Sequence, residues 1–319
     1  MHKDSSIYVA GHTGLLGSAI VRILNRRGFK NIITALKNIC DLTVQENVLE
    51  LFNLHKPEYV FLCAAKVGNI AENIKYPAEF ISENLLIQYN VMRAAYEAGV
   101  KKFLFFGANC CYPRECPQPM REEYLMTGPL EPTNRAYAIA KLSGIEMCRS
   151  FNVQYGTNFI VAIPASMFGE NDHFEYGRAH VLPDMIKKFH NAMVDDMLEI
   201  VLWGDGSPRR EFIYADDVAD ASVFLMNNFN PSTEEVKRGD ILINVGTGID
   251  YSIAELADVV GSLVGYKGKI IWDTSGPNGM PRKLLDSSRL RAMGWQARVD
   301  IFEGIRRIYR SYIKDIKRI

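Results

Sequence analysis

Five short apolar runs, at 7–10, 32–36, 59–64, 102–107 and 159–164, are separated by amphipathic stretches of helical length at 15–27, 44–55, 80–98 and 137–155. Neighbouring parallel strands cannot be joined by a tight turn; they need a crossover of a dozen or more residues, usually a helix. The alternation therefore predicts a doubly wound α/β architecture built on a parallel sheet. After Pro164 the pattern loosens. A helix from Val181, a short strand at 198–203, a Gly/Pro/Arg-rich loop at 204–210, an αβ unit (215–226 and 241–245), a helix at 253–264, a strand near Ile270, a loop at 276–283 and a last helix from Ile301 are expected. With 319 residues, about two ordinary domains, we expect residues 1–165, with a return segment at about 211–248, to form a dinucleotide-binding domain. Residues 166–210 and 249–319 then form a smaller mixed α/β substrate-binding domain at the carboxyl edge of the sheet.

The first strand runs directly into Gly11-His12-Thr13-Gly14-Leu15-Leu16-Gly17. Glycines let the backbone turn tightly and approach a pyrophosphate, whose charge is met by N–H groups opening a helix. In this strand–turn–helix context the G-x-x-G-x-x-G spacing points to a Rossmann-like dinucleotide site. At the end of the second strand stands Lys37, with no acidic residue to bind a ribose 2′-hydroxyl. A cation there suits the 2′-phosphate of NADP; otherwise Lys37 is a solvated surface lysine. Tyr137 and Lys141, at i and i+4, share one helix face. There a lysine cation can lower a phenol pKa that starts near ~10, so that the tyrosine exchanges a proton with a sugar hydroxyl or carbonyl. Y-x-x-x-K downstream of a dinucleotide turn points to the short-chain dehydrogenase/reductase superfamily.

Lys plus Arg (37) equals Asp plus Glu (37), so no overall field draws the chain to nucleic acid or an anionic membrane, and any anion site must be local. No apolar stretch approaches the ~18 residues of a membrane helix, and the first residues lack a secretory h-region. The six cysteines have neither CxxC spacing nor histidine partners at zinc-site distances, so no metal is expected, and a cytoplasmic enzyme with reduced thiols is.

Longer stretches resemble the GDP-L-fucose synthase family nearly end to end: residues 10–12, Ala64-Ala65-Lys66-Val67-Gly68, Leu130-Glu131-Pro132-Thr133-Asn134, Tyr137-Ala138-Ile139-Ala140-Lys141, residues 243–248 and Pro281-Arg282-Lys283-Leu284-Leu285-Asp286. The resemblance implies an NADPH-dependent enzyme of surface-polysaccharide precursor synthesis that inverts C3 and C5 of a GDP-4-keto-6-deoxy-hexose and reduces C4. It implies that Tyr137 protonates the C4 oxygen, that Lys141 holds the nicotinamide ribose, and that Cys110 and His180 form the epimerisation pair. Without the family, Cys110 reads as a buried small residue and His180 as a polar helix start. The resemblance also implies cofactor contacts from Asp41, Leu42, Ala64, Ala65, Lys66, Phe106, Gly107, Pro164, Ser166, Met167 and His180. It implies substrate contacts from Asn109, Lys188, Trp203, Arg210, Asn278 and Lys283, and a homodimer formed through the helices at 80–98 and 137–155.

The chain departs from that family at three places. Ala108 stands where the family keeps a catalytic serine, with Asn109 beside it; Thr13 replaces an arginine of the glycine turn; Asn278 replaces an aspartate. These changes keep two further readings open: a C4 reductase of a GDP-4-keto-heptose with no or partial epimerase activity, and a non-catalytic nucleotide-binding homologue. A 4,6-dehydratase or 4-epimerase with bound NAD is disfavoured by Lys37.

Overall fold

The computed structural model describes residues 1–172, 174, 180–275 and 280–316. In chain order the elements are β1 (Ser6–Ala10), α1 (Leu15–Arg26), β2 (Asn31–Ile33), α2 (Gln45–His55), β3 (Tyr59–Leu62), α3 (Ile70–Lys75), α4 (Pro77–Glu97), β4 (Lys102–Phe106), α5 (Arg135–Tyr155), β5 (Phe159–Pro164), β6 (Ser166–Phe168) and α6 (Val181–Val194). There follow β7 (Glu199–Trp203), β8 (Arg209–Tyr214), α7 (Ala215–Asn228), α8 (Thr233–Arg238), β9 (Leu242–Val245), β10 (Asp250–Ser252), α9 (Ile253–Val264), β11 (Lys269–Asp273), β12 (Arg282–Lys283), α10 (Ser288–Ala292) and α11 (Ile301–Ile316).

Six strands form one parallel sheet in the order β2-β1-β3-β4-β5-β9. Helices cover both faces, so the central strands are apolar without alternation: β4 and β5 are buried at every residue. The exception is Lys102, 3% exposed, whose Nζ donates to Leu225 O (3.0 Å), Phe229 O (2.5 Å) and Asn230 Oδ1 (3.0 Å) and so satisfies the end of α7. α7 returns along α1, tied by Arg22–Asp216 (2.5 Å) and Arg27–Asp220. β2 ends at Ile33, three residues short of the apolar run, because its pairing with β1 stops there, and Lys37 therefore sits in a loop.

The remaining strands form two smaller sheets: β10-β8-β12, with β6 also pairing β8, and the ribbon β11-β7. The interior divides accordingly into two apolar clusters, one under the large sheet and one joining α6, α9 and α11 to β6, β7 and β8. Met280, Leu285, Leu290 and Trp295 belong to the first cluster. α8 and α9 open on capping boxes, Ser232/Glu235 and Ser252/Glu255. The expected loop at 204–210 ends instead in β8, whose charged start is absorbed by pairing: Arg209 and Arg282 both reach Asp250 (3.1 and 2.5 Å). Glu211, 1% exposed, accepts from the backbone N–H of Gly248 (2.7 Å) and Leu285 (2.8 Å). Among the described residues no helix is long and apolar enough to cross a membrane.

Candidate active site

A cleft of about 780 Å³ opens at the carboxyl ends of β1, β3, β4 and β5, where the strand order reverses between β1 and β3. Its first wall is the glycine turn. Gly11 has φ +81°, a left-handed value that favours glycine, and a Cβ on it would lie 2.7 Å from the Ala64 backbone. A Cβ on Gly17 would lie 2.1 Å from Gly11 O, so α1 packs directly on the turn. Gly14 caps α1 without a side-chain hydrogen bond, which leaves the first N–H groups of a 12-residue helix facing the cleft. Among the described residues no partner reaches His12 Nδ1, which is buried at the same turn. Bare donors at a helix start beside a wall no side chain can fill fit a dinucleotide pyrophosphate. Thr13, Gly14, Leu15, Leu16, Lys37, Asp41, Leu42, Ala64, Ala65, Lys66, Phe106, Gly107, Pro164, Ser166 and Met167 all line the cleft. Thr43 donates to Asp41 through its amide (2.9 Å) and hydroxyl (2.8 Å) and holds that carboxyl below the ordinary aspartate value.

Tyr137, Lys141, Cys110, Ala108 and Asn109 line the far end, together with His180. Lys141 Nζ donates to Phe106 O (2.9 Å) and stands 5.9 Å from the Tyr137 ring centre. Burial pulls the Lys141 pKa down to about 8. The expected lowering of Tyr137 is reversed here: burial, with the Cys110 and Cys111 thiols close by, raises its pKa well above the ordinary phenol value. The helical spacing does place both residues on one face, but in this buried setting the tyrosine is held protonated. Cys110 is held below the ordinary thiol value by a hydrogen bond from Cys111 and, against the opposing effect of burial, by the charges of Lys283 and Lys141. Cys111 is itself pushed up by burial. His180 Nδ1 lies 3.5 Å from Asp172 Oδ1, and that contact raises its pKa. Asn109 Nδ2 donates to Ser166 Oγ at 3.4 Å.

The residues expected at the substrate divide. Arg210 on β8 lines the cleft; Lys283 is not among the lining residues but is the register partner of Arg210 on the neighbouring β12, and its charge bears on Cys110. Lys188 is paired with Asp184 (2.8 Å), and Trp203 is 57% exposed on the β7–β11 ribbon; neither lines the cleft. Asn278 lies outside the described residues. Asn73, Glu83, Asn134, Asp172, Val181 and Phe212 also line the cleft without having been expected at a site, as does Cys63, which the sequence suggests as a small core residue. Asn134 ends the motif at 130–134, three residues before Tyr137; Asn73 carries no local signal, because the six residues of α3 are too few to show a helical period.

The NAD dependent epimerase/dehydratase family model matches residues 7–246. "GDP-L-fucose synthase 1" of Arabidopsis thaliana is 46% identical over 314 residues, covering 98% of this chain and 95% of the relative. Among solved structures, a GDP-6-OMe-4-keto-L-xylo-heptose reductase from Campylobacter jejuni superposes with a TM-score of 0.92 at 36% identity over 99% of both chains. A GDP-mannoheptose C4 reductase from the same organism, solved with NADP bound, gives 0.89 at 36% identity over 98% of this chain and 99% of the other. The chain belongs to the NAD dependent epimerase/dehydratase family and, within it, to the GDP-L-fucose synthase group.

Proposed function

We propose that this enzyme uses NADPH to reduce the C4 ketone of a GDP-4-keto sugar. The observation that carries the reading is one cleft in which the glycine turn, Tyr137, Lys141, Cys110 and His180 all take part. When bound, the cofactor supplies a hydride to C4. The open N–H groups of α1 bind its pyrophosphate, and Lys37, in the loop after β2, takes the 2′-phosphate. Tyr137, held protonated by burial, gives its proton to the C4 oxygen. Lys141, anchored to Phe106 O, lies over the Tyr137 ring and stabilises the phenolate left behind. Arg210 and Lys283, adjacent across β8 and β12, hold the substrate diphosphate.

Carbons flanking a ketone are acidic, and inversion at C3 and C5 needs a base on one face and an acid on the other. Cys110, its thiol lowered, is the base, and His180, its imidazolium favoured by Asp172, is the acid. A second reading, C4 reduction of a GDP-4-keto-heptose without full epimerisation, is favoured by Ala108, which lacks the hydroxyl of the family's serine. The reading includes a cytoplasmic location, supported by six free thiols, and a role in surface-glycan precursor synthesis. It also includes a homodimer through α4 and α5, supported by exposed Leu86 and Tyr89 on α4 and Val153 and Tyr155 on α5. The test is NADPH oxidation, followed at 340 nm, against GDP-4-keto-6-deoxyhexose and GDP-4-keto-heptose. Turnover that is lost in Tyr137→Phe supports the assignment, and no turnover with either sugar overturns it. Solvent deuterium at C3 and C5 of the product reports epimerisation.

A further inference from the structure

Lys141 is 4% exposed and carries its ammonium into the interior, where a charge is costly unless something compensates it. Of its three N–H bonds one goes to Phe106 O (2.9 Å). Among the described residues the groups whose charge bears on it are the thiols of Cys111, Cys110 and Cys63, and no carboxylate is one of them. Burial brings its pKa down to about 8, so a modest change in its surroundings decides whether it is charged.

Beneath the ammonium lies a ring. Lys141 Nζ stands over Phe105, 4.8 Å from the ring centre, against 5.9 Å for Tyr137. The face of an aromatic ring is negative and attracts a cation within about 6 Å, most strongly where water is excluded; Phe105 is 1% exposed. Gly144, three residues after Lys141 on α5, leaves the space for this contact: a Cβ there would lie 2.3 Å from Phe105 Cζ and 2.7 Å from Cε1. The ring of β4 is therefore tucked against the backbone of α5, under the lysine one turn earlier. The titratable groups facing Lys141 are Tyr137 on its own helix, Cys63 after β3, and Cys110 and Cys111 after β4. From α4 comes the neutral amide of Gln88, which donates to Ala140 O (2.8 Å). In the reading above Tyr137 gives up a proton and Cys110 exchanges one, so neither holds a constant charge. The Phe105 ring does not titrate.

We infer that Phe105 is a positioning residue for the reduction: its ring face keeps Lys141 charged and in place beside Tyr137. The inference rests on the reductase reading above, in which the lysine charge stabilises the phenolate.

The test follows the ammonium itself, by 13C NMR of protein labelled at lysine Cε and free of cofactor and sugar, with the signal assigned by its loss in Lys141→Arg. Alongside it runs the pH dependence of single-turnover NADPH oxidation with the GDP-4-keto sugar that the parent turns over. Phe105→Leu removes the ring and keeps an apolar side chain. The Lys141 titration midpoint should fall by about one unit, and the alkaline limb of the rate profile should move down with it, because the charged lysine is the working form. Phe103→Leu removes a ring from the same face of the same strand, one packed instead on Phe159 (4.8 Å between centres). It should lower stability and leave both readouts in place. An unmoved midpoint in Phe105→Leu overturns the inference, and so does a raised one, since water in the vacated space then serves the ammonium better than the ring. Equal shifts in both variants overturn it as well, because packing alone accounts for them. Where Phe105→Leu does not fold, 3,4,5-trifluorophenylalanine at position 105 keeps the shape of the ring and withdraws its negative face; the midpoint should fall, and an unchanged one overturns the inference. No turnover of either sugar by the parent overturns the reductase reading, and with it the role in reduction, while the NMR titration separately reports whether the ring supports the charge.

Discussion

Ala108→Ser would restore the hydroxyl that the family keeps beside the tyrosine. Ala108 is extended (φ −147°, ψ 150°), a conformation serine adopts without strain, and it already lines the cleft with Tyr137. The added hydroxyl would donate to the C4 oxygen as charge develops there. A hydrogen bond to a charged acceptor is worth about 1.5–3 kcal/mol, and each ~1.4 kcal/mol is tenfold in rate, so the hydride-transfer step should accelerate about 10- to 150-fold. The bond strengthens only as the oxygen becomes negative, so the gain should appear in kcat with little change in KM. Single-turnover stopped flow, following NADPH absorbance with saturating sugar, isolates that step from product release; thermal unfolding checks that the variant is folded. A folded Ala108→Ser enzyme no faster than the parent refutes the reasoning. The donor is then supplied elsewhere, and the first place to look is Ser166, whose hydroxyl accepts from Asn109 and meets no acceptor among the described residues.

Four other outcomes follow from the same geometry. Gly17→Ala places a methyl 2.1 Å from Gly11 O, a backbone atom that cannot swing aside, so it should cost at least ~3 kcal/mol in urea unfolding and abolish NADPH binding in titration. Lys102→Met leaves the carbonyls of Leu225 and Phe229 buried without their donor, and should cost about 2–4 kcal/mol in the same assay. Cys111→Ala removes the donor that lowers Cys110, so the pH midpoint for iodoacetamide labelling of Cys110 should rise. Asp172 raises His180 above its ordinary 6.5. A raised folded-state value gives stability that is complete below pH 6.5 and is lost as pH rises through the raised value. The stability deficit of Asp172→Asn should therefore be larger at pH 5.5 than at pH 8.5, read as urea midpoints.

The sheet was legible because β1, β3, β4 and β5 are buried on both faces and write themselves as unbroken apolar runs. β8 was not, because Arg209, Arg210 and Glu211 look like a solvated loop until Asp250 and the N–H groups of Gly248 and Leu285 are brought to them. α3 was hidden for a related reason. Six residues are too few for periodicity to show, and the helix depends on Asn69, whose side chain accepts from Glu72 N. In the site, motifs carried the residues whose chemistry needs fixed spacing, such as the glycines of the turn and the Tyr137–Lys141 pair. Spacing does not report burial, so the direction of the Tyr137 shift was misread: solvent exclusion outweighs a lysine whose nearest hydrogen-bond partner is Phe106 O. The same limit applies to Asn73: its sequence neighbourhood does not say what its amide meets, and only the fold brings the carbonyls of Gly68 and Asn69 to its two donors.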